Sequence, residues 1–191
     1  MHVSQWMSGR PVCVTPDDHL DSVDMAMKQG GFRQAPVVDT EGRLIGIVTN
    51  RDVREHKGYL ETTKVSAAMS EPAIAVEPGD PIEHAVQLLI DRKIGAVPVI
   101  DRERRVIGMV SATDLLRGFL DSIGSGPGAV RIDLGASPSD GFADIVRTIE
   151  ASGAVLVGLG TGPAGFFVRV AAGDAERARA ALRGAGFSVP A

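Results

Sequence analysis

A single cysteine, Cys13, in 191 residues leaves no partner for an intrachain disulfide, so a disulfide-stapled secreted domain is excluded and a reducing, cytoplasmic setting is expected. Cys13 stands between Val12 and Val14, a context for a small buried hydrophobe rather than a reactive thiol. Aromatics are scarce, with six Phe, one Tyr and one Trp against 23 glycines, which points to small, closely packed elements. No block of Lys or Arg occurs and the formal charge is −4, which argues against nucleic acid as the main partner. No apolar run approaches the roughly 20 residues a membrane span needs. The opening Met1-His2-Val3-Ser4-Gln5-Trp6 also lacks the basic and apolar regions of a secretory signal. The four histidines, His2, His19, His56 and His84, show no metal-ligand spacing. With no Ser/His/Asp constellation and no Walker loop either, a soluble, non-enzymatic protein without bound metal or membrane contact is expected.

What is present is a repeat. Gly46-Ile47-Val48-Thr49-Asn50-Arg51-Asp52 returns 62 positions later as Gly108-Met109-Val110-Ser111-Ala112-Thr113-Asp114. The same shift aligns residues 3–58 with 65–120 without a gap, and among the identical pairs are Val3/Val65, Ser8/Ser70, Pro36/Pro98, Asp39/Asp101 and Asp52/Asp114. Two copies do not make a solenoid; they read as two similar units packing on each other.

Each copy follows one plan. A short opening turn (residues 3–8) leads to a brief strand at 12–14, matched by 73–76. Thr15-Pro16-Asp17-Asp18 has the form of a helix start, with Pro at the first helical position and acids behind it; Glu77-Pro78-Gly79-Asp80 is a poorer version. The helix that follows carries a core stripe, Ile82, Ala85, Val86, Leu89 and Ile90 in one copy and Leu20, Val23, Ala26 and Met27 in the other. Two strands come next, at 35–38 and 44–48 and again at 97–100 and 106–110, each pair joined by a charged turn that suggests a hairpin. A second helix begins at Thr49 or Ser111, giving the order β-α-β-β-α.

A hydroxyl followed three residues later by a carboxylate has two readings. It is close to a capping box, which needs no ligand. It also sets unpaired N–H groups and the positive end of the helix dipole where a phosphate is favoured, with Asp52 or Asp114 one turn in to accept from a ribose diol.

Together these segments resemble a known family. Each copy is similar to a CBS domain and the pair to a Bateman module, over residues 3 to about 120. The resemblance rests on the Val-Ser-x-x-Met-Ser openings, on Pro36-Val37-Val38-Asp39 and Pro98-Val99-Ile100-Asp101, and on the two Gly-x-Val-Thr/Ser-x-x-Asp ends. It implies an α/β (α+β) fold with two CBS units in pseudo-two-fold symmetry and two clefts for adenosine-containing ligands. AMP, ADP or ATP are the first expectation, S-adenosylmethionine or NADH the second. By the same resemblance Thr49 and Asp52 serve one cleft and Ser111, Thr113 and Asp114 the other. The aspartates then take ribose, Arg51 adds charge beside a phosphate, and Ser8, Val12, Ser70 and Ile74 line base or sugar. The family often places a basic or polar residue three before the strand proline. Arg33 stands there in the first copy and Gly95 in the second, so unequal clefts are expected unless Lys93 or a residue of the other unit fills in.

Beyond a Gly/Ser/Pro linker at 124–128, the last third reads as strand, helix, strand, strand, helix, strand, a ferredoxin-like βαββαβ plan. It resembles ACT domains, and Ser139-Asp140-Gly141-Phe142 is similar to their first loop, which makes Asp140 and Gly141 candidate contacts for an amino-acid effector. Sheet pairing between protomers is the other use of such a domain. The expected boundaries are 1–60 and 61–122 for the CBS units, 123–128 for the linker and 129–191 for the ACT-like domain, a layout similar to acetoin-utilisation B-type proteins. The implied protein is a regulatory homodimer that senses an adenine nucleotide and modulates its own assembly or an enzyme partner. The rivals are an amino-acid sensor with the CBS pair as scaffold, an interaction protein with empty clefts, and an enzyme.

Overall fold

In both repeats a helix and a hairpin form over the segments whose apolar stripe and charged turn predict them. The computed structural model describes residues 1–135, 141–162 and 165–190. It divides into two compact units, Met1–Leu115 and Leu116–Ala191. The first unit contains β1 (Ser8–Gly9), α1 (Leu20–Gly30), β2 (Gln34–Val38), β3 (Leu44–Thr49), α2 (Asn50–Glu55), α3 (Ile82–Arg92), β4 (Ala96–Ile100) and β5 (Val106–Ser111), and α4 (Ala112–Ser122) starts within it.

Leu20, Val23 and Met27 form the buried stripe of α1, and Ile82, Ala85 and Leu89 that of α3. Ile90 departs from the expected core: one helical step round from Leu89, it is 64% exposed. The hairpins β2–β3 and β4–β5 are antiparallel as expected. Their turns are tied by aspartate. The Oδ1 of Asp39 accepts from the backbone N–H of Glu41 (2.9 Å) and Arg43 (2.8 Å), and that of Asp101 from Arg105 (2.8 Å).

The N–H of Arg43, ahead of the other bonds in the turn, holds the Asp39 carboxyl below the usual Asp range. A group whose folded pKa is depressed lends stability above its unfolded pKa and loses it as pH falls through the folded value. In melts taken from about pH 6 down to about pH 2, Asp39→Asn should therefore keep the hairpin yet show a shallower acid fall in midpoint than wild type. Parallel curves would dismiss the role.

The helix start at Thr15-Pro16 is not realised. The Oδ2 of Asp18 accepts from the N–H of Thr15 (2.6 Å), that of Asp80 from Glu77 (2.9 Å), and the helices begin only at Leu20 and Ile82. A tertiary pairing overrides the local signal. The backbone of Pro16 and Asp18 accepts from Ser66 and Val65, and that of Pro78 and Asp80 from Ser4 and Val3, at 2.8–3.0 Å. Each opening turn thus crosses to the other repeat: Val3, Trp6 and Met7 pack in the core of the second copy, and Val65, Ala68 and Met69 in that of the first. The brief strands shrink to single parallel bridges, Val14 to Val37 and Val76 to Val99. The repeats also meet at their hairpins, where Leu44 N–H donates to Arg104 O (2.9 Å), Val106 N–H to Gly42 O (3.2 Å) and Gln34 Nε2 to Ala96 O (2.7 Å).

The second unit holds β6 (Ala129–Gly135), α5 (Phe142–Ala151), β7 (Leu156–Gly162), β8 (Gly165–Ala171) and α6 (Ala175–Gly184), with antiparallel sheet order β6-β8-β7. Ile132, Leu134, Ile145, Ile149, Val168 and Leu182 form its core. The expected last strand at 187–189 is not formed; Ser188 O accepts one bond from Gly135 N–H (2.8 Å) beside β6. The unit begins inside α4, ahead of the segment read as a linker, and that segment lies against the sheet. Ile123 O accepts from Arg169 Nη1 (2.9 Å), Gly128 O from Ala172 N–H (2.7 Å), and a Cβ on Gly124, whose φ is +67°, would stand 2.7 Å from Val157 O. Among the described residues no helix is long and apolar enough to cross a membrane.

Candidate functional site

Thr49 and Ser111 end strands β3 and β5 in extended conformation and hand the chain to α2 and α4. In the first copy the Oδ2 of Asp52 accepts from the N–H and Oγ1 of Thr49, both at 2.7 Å, while the Asp52 N–H donates to Thr49 Oγ1 at 3.4 Å. In the second, Asp114 Oδ2 accepts from Ser111 N–H (2.8 Å) and Oγ (2.5 Å), and Asp114 N–H donates to Ser111 Oγ (3.2 Å). Both motifs are therefore reciprocal caps. Capping occupies one carboxylate oxygen, and Oδ1 of each aspartate has no protein hydrogen bond among the described residues.

What surrounds the caps separates them. A cavity of about 500 Å³ is lined by Ser8, Val12 and Arg33 from the first repeat and by Ser111, Thr113 and Asp114 from the second. The crossing of the opening turns explains the mixture. β1 pairs with β5, setting Ser8 opposite Met109 with Ser8 Oγ donating to Met109 O (3.3 Å), so the turn of one copy stands beside the cap of the other. Arg33 is fixed through its backbone, whose carbonyl accepts from Asn50 N–H (2.8 Å); Gly95 O does the same for Ala112 N–H (3.0 Å) and lines the same cavity. Arg33 and Gly95 thus line the same cavity, where a basic residue of the first unit stands beside the position at which the second offers no side chain.

Thr49, Arg51, Asp52, Ser70 and Ile74 do not line this cavity. Ser70 bridges Ile47, two residues before Thr49, so the pseudo-symmetric grouping is made from the opposite halves. Arg51 is exposed and its Nε lies 3.6 Å from Glu55. Asp140 lies outside the described residues. Gly141 is the N-cap of α5, in extended conformation, with open space where a Cβ would be.

Two features escaped the sequence reading. Arg10, two residues after Ser8, lines the cavity with φ +54°; nothing in a motif marks it, and only its register opposite Pro72 sets it apart. Gly46 and Gly108 open the repeated motif because the other repeat's turn crosses them. A Cβ on Gly108 would lie 2.9 Å from Ser8 O and 3.0 Å from Met7 Sδ, and one on Gly46 2.9 Å from Met69 Sδ and 3.2 Å from Ser70 O. Cys13 is half-buried rather than fully buried, and burial pushes its thiol pKa up, away from reactivity. Among the described residues no group of three or more His, Cys, Asp or Glu is placed to hold a metal ion.

The profile of the CBS domain matches residues 3–58 and 65–121. A CBS domain-containing protein of Dictyostelium discoideum is 32% identical over 127 residues, covering 60% of this chain and 88% of its own length. The chain spans only 20–46% of the length of four longer curated relatives. Among solved structures, CBSX2 of Arabidopsis thaliana in complex with AMP superposes with a TM-score of 0.58 at 23% identity, over 62% of this chain and 96% of that one. A protein of Vibrio cholerae assigned to acetoin utilization, AcuB, superposes with a TM-score of 0.57 at 22% identity, over 63% and 90%. At these identities the likeness is one of fold, and it covers the paired repeats.

Proposed function

This chain belongs to the CBS domain family, and on that premise we propose that it is a regulatory sensor that binds an adenine nucleotide between its paired repeats. The observation that carries the reading is the cavity of about 500 Å³ uniting Ser8, Val12 and Arg33 with Ser111, Thr113 and Asp114. Its size suits a nucleotide, and its lining offers a carboxylate oxygen for a diol, hydroxyls and a guanidinium for phosphate, and Val12 for a base. AMP, held by the fold neighbour CBSX2, belongs to the ligand class, with ADP and ATP beside it and S-adenosylmethionine and NADH less favoured. Thr49, Arg51, Asp52, Ser70 and Ile74 are proposed for a second candidate site.

Binding alone switches nothing. The ligand must favour one arrangement of the molecule over another, whether that changes homodimer assembly or the activity of an enzyme partner. Two helices and the order β6-β8-β7 in the second unit support the ACT-like reading, with edge strand β7 available to pair between protomers.

A thermal-shift titration against AMP, ADP, ATP, S-adenosylmethionine, NADH and the amino acids tests this. A ligand of the native state at about 100 times its dissociation constant adds roughly 2.7 kcal/mol, so an adenine nucleotide should raise the midpoint visibly. A rise with an amino acid and with none of the adenosine compounds would move sensing to the second unit and leave the repeats as scaffold.

A further inference from the structure

The charged groups of the cavity lining are Arg10, Arg33 and Asp114, two cations against one anion. Both arginines are exposed, and neither forms an ion pair with a carboxylate among the described residues. Arg10 also sits in the left-handed region at φ +54°, a conformation that costs a side-chain-bearing residue free energy and that glycine adopts freely. Its register partner in the second repeat is Pro72, so the feature belongs to this cavity alone. A left-handed backbone at an unpaired cation in the lining of a cavity is a local cost of the kind found where a ligand uses the residue.

Resting on the nucleotide reading above, we propose that this cavity selects adenosine carrying at least two phosphoryl groups, with Arg10 the residue that reads the second. Arg33 and Arg10 enter the lining from different segments, one just ahead of β2 and one just after β1. Each guanidinium is a planar fork that pairs bidentately with phosphate oxygens. Two forks reaching in from separate segments suit consecutive phosphoryl groups better than the three terminal oxygens of a monophosphate, which Arg33, Thr113 and the start of α4 already address. An uncharged or cationic adenosine compound would make no use of either arginine.

Calorimetric titration of the full chain with adenosine, AMP, ADP and ATP, in wild type, Arg10→Gly and Arg33→Ala, provides the test. Wild type should bind ADP roughly tenfold or more tighter than AMP, the scale of a charge-assisted hydrogen bond. Arg10→Gly should erase that step, leave AMP affinity within about threefold of wild type, and melt no lower than wild type, because glycine relieves the left-handed strain. Arg33→Ala should weaken AMP and ADP alike. If wild type binds AMP and ADP equally and Arg10→Gly changes neither, the adenine site stands and the selection by Arg10 falls. If none of the four compounds binds, the nucleotide reading falls and the proposal with it.

Discussion

Asp114→Asn should bind adenine nucleotide roughly a hundredfold more weakly than wild type, the equivalent of one or two charge-assisted hydrogen bonds. The site explains both the loss and the choice of substitution. Oδ2 of Asp114 is committed to Ser111, with bonds of 2.8 and 2.5 Å, so Oδ1 is the oxygen left to meet a ribose diol. Asparagine keeps one carbonyl oxygen for the cap and turns the group that faces the cavity from an anionic acceptor into a neutral donor. The fold should therefore survive while the diol loses its partner. Asp52→Asn is the internal control: it edits the same cap chemistry away from the cavity, so it should leave this site's affinity near wild type and at most remove a second equivalent. Calorimetry that finds Asp114→Asn unchanged would reduce Asp114 to a cap.

Gly108→Val should be strongly destabilising, with a loss at or above the upper end of the about 1–3 kcal/mol typical of overpacking. The first added carbon meets Ser8 O at 2.9 Å and Met7 Sδ at 3.0 Å, and the backbone carbonyl cannot swing aside as a flexible side chain can. Relief requires β1 to leave β5, which carries Ser8 out of the cavity, so nucleotide affinity should fall with stability. Gly46→Val should cost less, because its nearest neighbour is the flexible Met69 Sδ at 2.9 Å and Ser70 O stands back at 3.2 Å. At Gly95 nothing lies within 4 Å of a Cβ, so Gly95→Ala should stay within about 0.5 kcal/mol of wild type. Urea unfolding of the three variants ranks them, and a Gly108→Val as stable as Gly95→Ala would mean that the crossing at β5 is not tight.

Much of this was legible in the residues. The 62-residue shift gave two like units, the apolar stripes gave α1 and α3, and the aspartate-bearing turns gave the hairpins. Local patterns could not show that the opening turns exchange places, since that depends on pairings such as Val3 with Asp80, 77 residues apart. The same blindness misplaced the helix starts, because Pro16 and Asp18 look like a helix beginning until the other repeat's backbone claims their carbonyls. It also left Ser8, Val12, Ser70 and Ile74 unassigned between the two clefts, because only the crossing sets the turn of one copy beside the cap of the other. In the last third, residues 187–189 had the alternation of a strand and too few partners to become one. The Gly/Ser/Pro composition at 124–128 says nothing of the sheet it lies on.

The exchanged turns carry a last consequence, for how the first unit comes apart. Neither repeat owns a complete core: remove residues 3–7 and the second copy loses Val3, Trp6 and Met7, remove 65–69 and the first loses Val65, Ala68 and Met69. Half of the pair expressed alone is then an unfinished fold rather than a small domain. The two halves should melt in one cooperative step and share protection from hydrogen exchange. Closing contacts across so much chain also makes the final docking of each turn a late, slow event in folding, after the local helices and hairpins have formed.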